Sequence, residues 1–283
     1  ARENGFPMDA LMCKAAVANG HMDVLQWLRA NGCEWDAMTC AAAAKNGHIN
    51  VLRLLRVNDC PWDSRTCVAA AENGHLAVLQ WARANSCPWV QAEQWPSRNT
   101  QTYCRDNDSV CAAAAANGHL DVLQWALANG CKLQENICGA AALNGQLAVL
   151  QWLRANGCPW GDETCEDAAL NGHLEVLKWA YNNGCEWSEM TSACSNAALN
   201  GHLAVLQWAR ANGCEWWEET CSSAALNGHL AVLQWLRANG CPWDEETCAQ
   251  SAKNGHMAVL QWARSNGCPW NERAACAVAA EHG

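Results

Sequence analysis

The residues of this 283-residue chain with the greatest capacity for chemistry are its 20 cysteines. Eighteen fall into nine pairs in which one cysteine stands in a loop and the next opens a helix-forming stretch, as in Cys33/Cys40, Cys60/Cys67, Cys158/Cys165 and Cys241/Cys248. Where the connecting segment lengthens, both members remain, as in Cys185/Cys194 and Cys268/Cys276. Three chemistries fit. Each cysteine can be a small buried hydrophobe. Each pair can be a disulfide that staples a loop in an oxidising compartment. Or the pairs can hold zinc, although structural zinc half-sites want cysteines about two to four apart. One departure separates these readings. Phe6 takes the place of the loop cysteine opposite Cys13, yet Cys13 persists. On that pairing the thiols need no partner, which favours reduced, metal-free cysteines.

Histidine points away from catalysis. Eight of the nine histidines stand in an Asn-Gly-His turn, His282 occupies a degenerate copy, and Gln146 replaces one without disturbing its surroundings. No second set of histidines exists to complete a dyad or a metal triad. No Gly-rich phosphate loop, serine nucleophile elbow or singular carboxylate pair is present. The sequence therefore predicts no catalytic residues, no metal site, no cofactor and no enzyme activity.

Specificity can reside where repetition breaks. The segment between Cys87 and Cys111 is longer than its counterparts and carries Trp95, Pro96, Tyr103 and an extra Cys104. Insertions of this kind map to one face of a repeat protein, often the binding face, and a tolerated surface insertion is the competing reading. Charge is also uneven. Residues 1–141 carry a net −2 and residues 142–283 a net −8 of the total −10. The excess acids are Asp162, Glu163, Glu166, Asp167, Glu189, Glu218, Glu219, Asp244, Glu245 and Glu246. An aligned acidic ridge favours a basic protein partner and speeds its association. It excludes nucleic acid, which needs basic stripes. A merely solubilising surface is the competing reading.

The element that must position these groups is a 27-residue unit, seen in Asn212–Ala238 and again from Asn239. Its second-turn glycines recur from Gly20 to Gly255, mostly 27 apart. A period of this size means stacked units that bury their apolar faces against neighbours. In one unit, Thr220 reads as the cap of a short helix A, and Asn227-Gly228 ends it. Leu230, Val232, Leu233, Trp235 and Leu236 recur at helical spacing in a helix B, which Asn239-Gly240 stops. No window alternates at period two, so no sheet is expected. The Ala43-Ala44 and Ala224-Ala225 pairs fit close helix approach. Positions such as Ala41, Ala42 and Lys45, or Ser222, Ser223 and Leu226, share one face, read as the exposed inner face. Of the 18 tryptophans, one column in helix B (Trp208, Trp235) reads as core. A second, in the loops (Trp216, Trp243), reads as cover for helix ends or as an aromatic ridge for a partner.

The Thr opening helix A, the Ala pair, the Asn-Gly-His-Leu-x-Val-Leu run (Asn46-Gly47-His48, Asn171-Gly172-His173) and the closing Asn-Gly together resemble ankyrin repeats, over essentially the whole chain. The opening Thr39-Cys40-Ala41-Ala42 departs from the family's T-P-L-H. The unit is also about six residues shorter than the ankyrin period of about 33. The Asn-Gly-Cys-Pro-Trp-Asp wording looks like that of the short ankyrin-like repeats of algal and giant-virus proteomes, and the resemblance implies an all-α solenoid of helix-turn-helix repeats that lack full β-hairpin fingers. It also implies a protein-protein interaction or architectural scaffold module. The alternative is a cysteine-rich redox or metal-binding repeat protein. One array over residues 1–283 is expected, with about nine helix pairs, partial repeats at both ends and an insertion at 88–110. Both ends fall inside a repeat, which suggests a longer chain or larger assembly. No membrane segment is visible. The thiol reading points to an intracellular, cytoplasmic protein, and disulfide-bonded cysteines would leave that location open.

Overall fold

Short helices need help at both ends, and this sequence supplies it. The computed structural model describes residues 10–88, 110–161, 163–185 and 190–270. Helix A of a repeat starts at a residue such as Asp36, whose carboxylate accepts a hydrogen bond from the Thr39 amide at 2.9 Å. The Thr39 hydroxyl accepts in turn from the Asp36 amide at 3.2 Å. Thr164 and Thr220 accept in the same way from the Gly161 and Trp217 amides. This is a capping box with threonine where glutamate more often stands. It corrects the expected helix start: Thr220 is the third residue of its helix, which begins at Glu218, and its buried hydroxyl reaches back to the cap.

Both helices of a repeat end in the same way. In helix A of one repeat, Gly228 adopts φ +75°, the His229 amide donates to the Ala224 carbonyl and the Gly228 amide to the Ala225 carbonyl. At the end of helix B, Gly240 adopts φ +83°, and the Cys241 and Gly240 amides donate to the Leu236 and Arg237 carbonyls. Both are Schellman motifs, in which a left-handed residue returns two amides to otherwise unpaired carbonyls.

Two compact units result. The first comprises residues 1–141 and 148–159, the second residues 142–147 and 160–283. The first contains α1 (Ala10–Ala18), α2 (Met22–Ala30), α3 (Ala37–Lys45), α4 (Ile49–Val57), α5 (Ser64–Glu72), α6 (Leu76–Ala84), α7 (Val110–Ala116) and α8 (Leu120–Ala128). The boundary falls within the next pair, α9 (Glu135–Leu143) and α10 (Leu147–Ala155). The second contains α11 (Thr164–Leu170), α12 (Leu174–Asn182), α13 (Met190–Leu199), α14 (Leu203–Ala211), α15 (Glu218–Leu226), α16 (Leu230–Ala238), α17 (Glu245–Lys253) and α18 (Met257–Ser265). The described residues are all-α, and no strand occurs among them. The extended stretch between helix B and the next helix A, Cys33–Asp36 for example, takes the place of a hairpin.

Odd-numbered helices pack on one another from repeat to repeat: α1 on α3, α3 on α5 and α5 on α7 in the first unit, and α11 on α13, α13 on α15 and α15 on α17 in the second. Alanine makes this close approach possible. Ala43, Ala44, Ala224 and Ala225 are fully buried. Helix B supplies the larger side chains, with Val51, Leu52 and Leu55, or Val232, Leu233 and Leu236, in the core.

Two expectations about faces change. The first variable position of helix A is not exposed, because Ala41 and Ser222 are buried where neighbouring A helices meet. The helix B tryptophans are not core residues. Trp208 and Trp235 are half-buried, and Trp27 is 52% exposed. Helix geometry explains it: Val232, Leu233 and Leu236 define the buried stripe, and Trp235 falls on its flank.

The loop tryptophans are as buried or more so, with Trp35 and Trp216 enclosed. Trp216, in the loop after α14, meets Trp235 of α16 edge-on, with ring centroids 5.6 Å apart, and Arg210 of α14 lies 4.3 Å above the Trp216 ring. Arg237, Trp243 and Trp262 repeat the arrangement at 4.2 and 5.9 Å. These tryptophans seal the junction between repeats instead of forming a free aromatic ridge.

Candidate functional site

Two sets of groups outside the structural turns could carry function. The first is the cysteines. Their partners are not the ones that loop spacing suggests. Cys40 in α3 meets Cys60, the residue closing α4, with sulfurs 3.5 Å apart. Cys13, Cys111 and Cys194 are disulfide-bonded to Cys33, Cys131 and Cys214, with Cα atoms 6.7–7.2 Å apart. The same helix A to helix B partnership joins Cys67 with Cys87, Cys138 with Cys158, Cys165 with Cys185, Cys221 with Cys241 and Cys248 with Cys268. Every pair ties one helix A to the turn that closes the helix B following it, 20 residues on, and none crosses the loop to the next helix A. The argument from Cys13 therefore falls: its partner is Cys33, and Phe6 never had that role. The expectation that thiols lack partners is corrected with it.

Geometry explains the pairing. The Schellman turn that ends helix B carries its C″ cysteine inward, onto the first turn of the antiparallel helix A. There the loop thiol also donates to the carbonyl of the residue that caps helix A. Cys60 Sγ lies 3.4 Å from the Asp36 oxygen, and Cys158 Sγ lies 3.3 Å from that of Gln134. A chain thus runs from the helix A thiol through the loop thiol to a backbone oxygen. Arg56, Arg154 and Arg237 each donate a guanidinium hydrogen bond to the carbonyl of the loop cysteine, and Arg83 reaches Cys87 at 2.8 Å.

The two thiols of a pair share one acidity. The hydrogen bond from Cys40 lowers the Cys60 thiol, burial opposes that shift, and the Arg56 charge assists it. The Cys40 thiol is pushed up by its hydrogen bond to Cys60 and by burial. In the Cys67/Cys87 pair the roles reverse: Cys67 is the lowered member, through its hydrogen bond with Cys87. A first proton leaves more readily because the remaining S–H stabilises the thiolate, and the second is then held.

The second set is acidic. Glu218 and Glu219 lie in the exposed first turn of α15, and Glu245 and Glu246 in the exposed first turn of α17, which packs beside it. Asp244 caps α17 through a 3.1 Å bond from the Glu246 amide. Negative side chains at these positions also favour the positive helix ends. Gln250 donates to Glu246 at 2.6 Å, and among the described residues no ion pair engages Glu218, Glu219 or Glu245. Glu163 is exposed ahead of α11, where Glu166 and Asp167 are half-buried in the first turn. Asp162, Glu189, Trp95 and Tyr103 lie outside the described residues, as does nearly all of the insertion at 88–110. The sequence reading missed the thiol partners. The signal was present, since the 20-residue spacing recurs in nine repeats while the cross-loop spacing varies.

Histidine serves neither set. His75 Nε2 lies 3.0 Å from the Lys45 carbonyl, and His202 Nε2 lies 3.0 Å from that of Leu170, so each ring ties its turn to the repeat before it. Among the described residues no group of three or more His, Cys, Asp or Glu is placed to hold a metal ion. No helix among them is long and apolar enough to cross a membrane.

No family model and no curated protein matches the chain. Among solved structures, the ankyrin repeat domain of human ASB11 is similar at a TM-score of 0.47 and 18% identity, covering 56% of this chain and 84% of that one. What the structure itself shows is stacked helix pairs, with Ala-Ala packing, an Asn-Gly-His turn and paired Schellman ends.

Proposed function

We propose that this chain is a non-catalytic protein-binding module, and that its second unit takes a basic partner along successive acidic helix starts. The observation that carries the reading is the juxtaposition of α15 and α17. These two helices pack on each other, and each carries two exposed glutamates in its first turn, Glu218 and Glu219 in α15 and Glu245 and Glu246 in α17. Charges on neighbouring repeats reinforce one another within a Debye length, roughly 8 Å at physiological ionic strength. Such a surface attracts Lys- and Arg-rich protein segments and repels phosphate backbones. The half-buried Glu166 and Asp167 contribute less than the fully exposed acids.

The test uses immobilised Lys/Arg-rich peptides as probes, with neutral peptides of equal length beside them. Wild type is expected to associate with the basic peptides at a rate that falls steeply with salt. Reversing Glu218, Glu219, Glu245 and Glu246 to Lys is expected to slow that association at least tenfold while changing dissociation little. Association that ignores both salt and the reversal, or that is equal for neutral peptides, reduces the acidic surface to a solubilising one.

A further inference from the structure

The acidic surface makes no use of the cysteines, yet their arrangement is stricter than a packing role requires. The spacing from helix A cysteine to loop cysteine is 20 in nine repeats, whereas the spacing across the loop runs from 7 to 24. No described repeat holds one member without the other. A position that needed only a small apolar side chain would accept alanine in one of the two, as the rest of helix A does freely. Cys104 stands outside this set, because Gln124 occupies the place 20 residues after it.

The same scaffold also accommodates two states of the pair. Three pairs are bonded, and Cys40/Cys60 keeps its sulfurs 3.5 Å apart in a hydrogen-bonded chain. The bonded pairs have Cα atoms 6.7–7.2 Å apart, at or just beyond the upper limit of what a disulfide usually spans. Closing a bond therefore asks only for a small approach of the loop cysteine towards helix A. Two thiols, with no third ligand, suit electron-pair chemistry better than a metal ion.

We propose that the nine cysteine pairs are dithiol–disulfide couples, closed within each repeat by exchange with a small-molecule disulfide. One thiol loses its proton, and the thiolate attacks a sulfur of the external disulfide. A mixed disulfide forms and one external thiolate leaves. The partner thiol then loses its proton and attacks the protein-bound sulfur of the mixed disulfide, expelling the second external thiolate. The pair loses two electrons and two protons, and the external disulfide gains them as two thiols. Burial of the pairs makes local opening of the repeat the entry step. Each bond fastens helix A to the end of helix B and leaves neighbouring repeats unlinked, so oxidation can proceed repeat by repeat.

Tryptic cleavage separates this pairing from the alternative. Residues 30–45 form one peptide that holds both Cys33 and Cys40, Cys13 lies in 3–14, and Cys60 lies in 57–65. The folded protein is first reduced, then incubated with excess oxidised glutathione. Remaining thiols are trapped with an alkylating agent at low pH and the digest is mapped without reductant. The expected product is peptide 30–45 joined both to 3–14 and to 57–65. Peptide 30–45 closed on itself, glutathione adducts without internal bonds, or full alkylation after prolonged incubation each overturn the proposal. In Cys60→Ala, peptide 30–45 is expected to keep its link to 3–14, with Cys40 alkylated or carrying a single glutathione. A Cys33–Cys40 bond in that variant also overturns it.

Discussion

Each repeat contains two turns of identical backbone design and different tolerance. The Asn-Gly-His turn between helices A and B and the Asn-Gly-Cys turn after helix B are both Schellman motifs with a left-handed residue. At the first, a Cβ on Gly228 would meet His256 Nδ1 of the next repeat at 2.6 Å. At the second, a Cβ on Gly240 would meet nothing within 4 Å. The substitutions follow that difference. Every described Asn-Gly-His turn or its Gln146 variant keeps glycine, whereas Asp59 and Ser86 stand in the second kind of turn at φ 58° and 63°. One turn answers only to its own backbone. The other also answers to the neighbouring repeat.

The largest expected effect breaks this symmetry directly. Gly228→Ala combines left-handed strain, about 1–2 kcal/mol, with crowding of the His256 ring, about 1–3 kcal/mol. A loss of about 3 kcal/mol is expected. Gly240→Ala carries the strain alone and should cost about 1 kcal/mol. Chemical denaturation of the two variants side by side measures the gap. Equal losses would mean that the histidine ring moves aside without cost and that the inter-repeat contact constrains nothing.

A second inter-repeat contact sharpens the comparison. Trp208 is half-buried, and Tyr181 of the preceding repeat meets it edge-on at 5.4 Å. Emptying a full aromatic core site costs about 3–5 kcal/mol, and a flank position forfeits less. Trp208→Ala is expected to cost about 2 kcal/mol, with loss of amide protection confined to α12, α14 and their immediate neighbours. Protection lost evenly from α11 to α18 would show that the second unit unfolds as one body.

The repeat period, the helix pairs and the glycine stops were legible because each rests on residues close in sequence. The Asn-Gly pair announces its turn whatever lies beyond it. The partnerships were not legible in the same way. Cys40 has a nearer cysteine in Cys33 than in Cys60, and only the antiparallel return of helix B decides between them. Trp235 recurs with the apolar residues of its helix and so reads as core, but it sits at the flank of their stripe, where Trp216 from the loop after α14 receives it. The histidine was correctly read as a turn residue. Its contact, the carbonyl and glycine of the preceding repeat, needed the stack to become visible.

A gain in stability should follow from restoring glycine where the outer turn lacks it. Ser86 is exposed and holds φ 63°, a conformation that costs a side-chain-bearing residue about 1 kcal/mol. Ser86→Gly is expected to stabilise the first unit by up to that amount, partly offset by the greater freedom of glycine in the unfolded chain. A thermal midpoint unchanged or lowered in the variant would mean that the Ser86 side chain contributes something its open position does not suggest.

The smallest effect tests the inner turn through protons. Burial holds the His202 imidazole below the ordinary histidine value. Its hydrogen bond to the Leu170 carbonyl opposes that shift, and the neighbouring His173 and His229 add to it. The unfolded chain then takes up a proton at a higher pH than the folded one. The contribution is complete above the ordinary histidine pKa of about 6.5 and is lost as pH falls through the lowered folded value. Gln146 offers the matched control, since it fills the same turn position without titrating. His202→Gln should therefore lose less stability than wild type between pH 7.5 and pH 5, and an NMR titration should find the His202 ring protonating below the ordinary histidine value. Equal acid losses in the two proteins, together with an ordinary His202 titration, would remove protonation from the inner turn and leave steric fit over Gly172 as its whole constraint.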